Sequence, residues 1–95
     1  MLYTLITEVS TTNKGLLETN IDQIESETVD ESILTWVRTT KLKPRLSEIM
    51  MSLIVSVNPV EGMIRCWCTS CYEDEVKDDG RDFIINIVET YGGNN

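Results

Sequence analysis

MMSLIVSVNPVEGMIRCWCT, residues 50–69, is the stretch on which the fold turns. Met51, Leu53, Val55 and Val57 alternate with positions that include Ser52 and Ser56, the period of a strand packed on one side. Asn58-Pro59-Val60-Glu61-Gly62 is a turn cluster. Alternation resumes from Met63 to Thr69, with Met63, Arg65 and Trp67 against Ile64, Cys66 and Cys68. Two alternating segments with a short connection predict a β-hairpin.

Toward the N-terminus, residues 2–9 alternate as well, with β-branched or aromatic residues on both faces, and predict a buried strand. Asn13-Lys14-Gly15 is a turn signal. Residues 16–25 fit two patterns: Leu17, Ile21 and Ile24 have helical spacing, whereas the preceding turn suggests a hairpin partner; the balance favours an irregular or partly helical segment. Thr28-Val29-Asp30-Glu31 has the form of a capping box. Val29, Ile33, Trp36 and Val37 then predict an amphipathic helix that Pro44 cannot continue.

Toward the C-terminus, Ser70-Cys71-Tyr72-Glu73 looks like a second capping box. Val76, Phe83, Ile84, Ile87, Val88 and Tyr91 trace a helical stripe that stops before Gly92. This predicts either one helix over 71–91 weakened at Gly80, or an acidic loop and a helix from about residue 79. The expected order is β-(x)-α-β-β-α, an α+β domain over residues 1–91 with a small antiparallel sheet and two helices packed on one face. Residues 92–95, Gly-Gly-Asn-Asn, are expected to form a flexible tail.

Composition narrows the function. Sixteen acidic residues against eight basic ones give the 95-residue chain a formal charge of −8, which disfavours direct binding to nucleic acid or anionic lipid and favours a basic protein partner. The chain has no histidine, so it lacks the commonest general base and metal ligand. No phosphate-binding loop or nucleophile elbow is present, and the chain is read as a non-enzyme without a cofactor. No signal peptide or membrane-length apolar run appears, and three cysteines fit free thiols in the cytoplasm.

Three groups of residues are candidate sites. Cys66, Cys68 and Cys71 could hold a soft metal, but a closed zinc site needs a fourth ligand, so buried free thiols are the simpler expectation and no metal is assigned. Arg38, Lys41, Lys43 and Arg45 hold half of the basic residues and are expected to pair with acids of this chain or of a dimer mate. The partner-binding candidates are Glu73, Asp74, Glu75, Asp78, Asp79 and Asp82. They lack the ligand pattern of a calcium loop, since its third and twelfth places would be Lys77 and Asn86. On a helix they would form a carboxylate stripe able to imitate a nucleic-acid backbone, with Glu25, Glu27, Asp30 and Glu31 as a second patch.

The function expected from these features is an acidic inhibitor or modulator of bacterial or phage origin. It would dock on a basic surface of a nucleic-acid-handling or defence protein. The alternatives are an oligomeric, antitoxin-like interaction protein (a homodimer, for example) using the hairpin and Trp67, and a metal-binding module on the cysteines.

Overall fold

The protein's structure, a computed structural model, describes residues 1–74 and 80–91. Its strands are β1 (Leu2–Thr11), β2 (Gly15–Glu25), β3 (Asn58–Pro59), β4 (Cys66–Tyr72) and β5 (Arg81–Thr90), and its helices are α1 (Val29–Thr39) and α2 (Glu48–Ile54). The strands form one antiparallel sheet in the order β2-β1-β5-β4-β3. The α+β class and the antiparallel sheet are as expected. The order of elements differs at three places.

Residues 16–25 are the hairpin partner of β1 rather than a partly helical segment. Gly15 opens β2 at φ 67°, a conformation that costs glycine little. The register runs from Leu2↔Glu25 to Thr11↔Gly15 with one irregularity between Val9 and Ser10. Near Leu17 this shift brings residues of different parity to one face, which blurs strand alternation in the sequence.

The first half of the predicted hairpin, Met50 to Val57, is mostly helix. Ser47 caps α2, its hydroxyl accepting from the Met50 N–H at 3.4 Å. Leu46 before the cap and Met51 one turn inside are both half-buried against the core, the positions of a hydrophobic staple. Ser52 and Ser56 are four residues apart, a spacing compatible with either structure. Only Asn58 and Pro59 extend into a strand, opposite Cys68 and Trp67.

The predicted C-terminal helix is also absent from the described residues. Ser70 lies within β4 and Phe83 to Val88 within β5. Phe83, Ile85 and Ile87 are fully buried while Ile84 is 43% exposed. Because Ile84 and Val88 are apolar as well, the same residues also satisfy a helical stripe; the run of β-branched residues between two strands decides for extended structure. By contrast, α1 is where it was expected. Thr28 Oγ1 accepts from the Glu31 N–H at 3.2 Å, and Ile33 and Trp36 are fully buried.

Strand parity gives the sheet two unlike faces. Leu5, Val9, Phe83, Ile85, Ile87 and Cys71 point to one side and join Ile33, Trp36 and Ile54 of the helices in a single core. Trp36 meets the edge of Phe83 at 6.1 Å and donates from its indole N–H to Asp22 at 3.0 Å. Among the described residues, no helix covers the other side. The edges differ too: β2 is an eleven-residue edge strand, and β3 at the opposite edge is two residues ending in proline.

Candidate functional site

The acidic run lies around the β4–β5 connection. Glu73 is 3% exposed and held between two arginines, accepting from Arg45 Nε at 2.9 Å and from Arg81 Nε at 2.7 Å. Arg81 also donates to the carbonyls of Leu42 and Lys43, and the Asp74 N–H donates to the Arg45 carbonyl at 3.1 Å. This clamp ties the α1–α2 connection to the end of the sheet. Lys43 within that connection has φ 48°, which is costly for a side chain before proline. Glu73 is thus a structural ion-pair partner. Asp74 is exposed and Asp82 half-exposed on β5, while Glu75, Asp78 and Asp79 lie outside the described residues. The described members of the run are not one turn apart on a helix.

The basic cluster is divided. Arg45 pairs with Glu73, as the sequence led one to expect, whereas Arg38, Lys41 and Lys43 are exposed with no ion pair among the described residues. Arg38 lines an open cleft of about 530 Å³ together with Glu25, Glu27 and Glu31. The structure therefore gathers three of the four acids of the second patch at the start of α1. Glu25 is engaged there by the N-terminal amine at 2.8 Å.

The cysteines do not converge. Cys66 and Cys68 lie on the open side of the sheet and Cys71 on the covered side, and no three potential ligands among the described residues are grouped to hold a metal ion. Burial, with Asp82 contributing, pushes the Cys71 thiol up to about 12, so it stays protonated and unreactive near neutrality. Trp67 is half-buried against the core and meets Tyr3 edge-on at 6.1 Å.

Sequence reasoning missed which residues form the open side of the sheet. Ile21 there is 66% exposed, Tyr72 54% and Ile84 43%. Beside them, the β3–β4 connection folds back through the Val60 N–H to the Cys66 carbonyl at 3.0 Å. It walls an apolar pocket of about 310 Å³ whose lining includes Ile6, Val60, Met63, Cys66, Asn86 and Val88. The signal available in the sequence was the run from Phe83 to Val88, apolar at both parities except for Asn86. Among the described residues, no helix is long and apolar enough to cross a membrane. Comparison of the chain with protein-family models, curated proteins and solved structures finds no match in any of the three.

Proposed function

We propose that this protein acts by binding another protein, as an inhibitor or modulator that sets its carboxylates against a basic surface. Surfaces of that kind are carried by nucleic-acid-handling and defence proteins. One observation carries the proposal: among the described residues, few acids are neutralised by an ion pair. Ion pairs between described residues engage Glu25, Glu73 and Glu89. Glu8, Glu18, Glu27, Glu31, Glu48, Glu61 and Asp74 are exposed with no paired cation among the described residues. A surface charged in this way raises the encounter rate with a basic partner and discourages an acidic one. The free thiols fit a cytoplasmic setting.

The test is a tagged pull-down from bacterial lysate, with partners identified after low-salt and high-salt washes. The expected result is one basic protein whose recovery falls as salt rises, because exposed charge pairs are screened. Recovery of only the bait would favour self-assembly, the second reading, for which Ile21 and Ile84 on the open side of the sheet speak. Trp67 is a poor anchor for that assembly because it packs against Tyr3.

A further inference from the structure

On the open side of the sheet the four long strands present, from β1, Leu2, Thr4, Ile6, Glu8 and Ser10. Opposite Ile6 across β5 is Asn86, and opposite Asn86 on β4 is Cys68. Glu8, Glu25 and Asp82 also belong to this side, and no lysine or arginine of the four strands does. The N-terminal amine engages Glu25, so the carboxylates of this mixed aliphatic and hydroxyl surface that have no ion pair among the described residues are Glu8 and Asp82.

A second copy of the chain would set Glu8 and Asp82 against their equivalents with no lysine or arginine of the four strands between them. A partner carrying lysine or arginine around an apolar centre would complement them, and opposed like charges are what charged interfaces avoid. The pocket supplies the place for that centre. At about 310 Å³ it lies at the small end of the roughly 300–1,000 Å³ seen for small-molecule sites, a size suited to a buried side chain rather than a cofactor. Its polar side chain is Asn86, whose carboxamide has no hydrogen-bond partner among the described residues. A carboxamide offers one acceptor and two donors, which matches the carbonyl and N–H of a peptide unit.

We infer that the open side of the sheet is the docking surface and that its pocket, at Ile6, Met63, Cys66, Asn86 and Val88, takes an aliphatic anchor from a basic partner. The partner's main-chain amide pairs with Asn86, and its flanking lysines or arginines meet Glu8 and Asp82. The inference rests on the proposed function and adds the surface and the chemistry of the partner.

The probes are three capped synthetic peptides: a leucine between pairs of lysines, the same with alanine for leucine, and the same with glutamates for lysines. Each is titrated into isotope-labelled protein while the backbone amide resonances are followed. The leucine–lysine peptide is expected to move the amides of Ile6, Cys66, Asn86 and Val88, and the alanine version to bind about ten-fold more weakly, as loss of a buried anchor does. The glutamate version is expected not to bind. Asn86→Ala should weaken the leucine–lysine peptide about ten-fold while the folded spectrum is retained. Shifts confined to Glu27, Glu31 and Arg38 would overturn the docking surface and leave a basic partner standing. No response to either lysine peptide would remove both proposals, and equal binding of the leucine and alanine versions would remove the anchor. Self-association abolished by Val88→Lys would replace the basic partner with a second copy.

Discussion

Ile84 and Ile85 are neighbours on one strand, the same residue type with the same covalent reach, yet one is 43% exposed and the other fully buried. The difference comes from what lies beyond each side of the sheet. Ile85 joins Trp36 and Ile54 of two capped helices in one core; beyond Ile84 no helix is present among the described residues. The pair teaches that the apolar content of β5 exceeds what its own fold needs to bury. Isolated exposed aliphatics are ordinary on protein surfaces; Ile21, Tyr72 and Ile84 share one sheet face beside an apolar pocket, the surface inferred above to take a partner.

The comparison is broken most directly by truncating each isoleucine in turn. Ile85→Ala should destabilise the protein by about 3 kcal/mol, the usual range for a buried aliphatic, whereas Ile84→Ala should change stability by less than about 0.5 kcal/mol. Denaturant titration of both variants checks this, and equal losses would mean that the two sides are packed alike. A smaller effect is expected at the end of the covered side, where the Glu73 carboxylate sits between Arg45 and Arg81. Glu73→Ala should cost about 2 kcal/mol, less than a fully buried pair because Arg45 is largely exposed. It should also speed hydrogen exchange in the α1–α2 connection.

The cysteines sharpen the contrast with a smaller effect than Ile85 or Glu73. Cys71 on the covered side is raised from an ordinary value of 9.0 to about 12, whereas Cys68 on the open side is half-exposed. The unfolded thiol ionises near pH 9 while the folded one keeps its proton. Stability should therefore be independent of this group below pH 9 and fall above it. The limiting slope is about 1.4 kcal/mol per pH unit. Denaturant curves taken at about pH 8 and about pH 10 should show the loss. It should be smaller in Cys71→Ala, with a remaining part from Tyr3, whose hydroxyl is also raised by burial and by Glu89.

The parts of the fold that were legible in the sequence are those with one consistent period. Residues 2–9 alternate cleanly into β1, and Thr28 through Val37 combine a cap with a helical stripe. Where residues satisfied two periods at once, tertiary context decided: Met50 to Ile54 became helix under the Ser47 cap, and Phe83 to Val88 became strand between β1 and β4. The candidate site was less legible. The acids of the run were visible, but the tie of Glu73 to Arg45 spans 28 positions, and no local pattern announces so distant a partner. Two helices on one face already implied an open side, but its residues could not be named while Phe83 to Val88 were read as helix and residues 16–25 as irregular.

The unequal edges of the sheet have a consequence for assembly. An open strand edge can template another strand, and repeated head-to-tail addition requires two such edges on each molecule. Here β2 offers an edge of eleven residues, while β3 is two residues long and closes on Pro59, whose ring nitrogen has no hydrogen to donate. Strand-to-strand joining through the long edge would therefore set two β2 strands against one another, and the two residues of β3 would give a further copy little to extend.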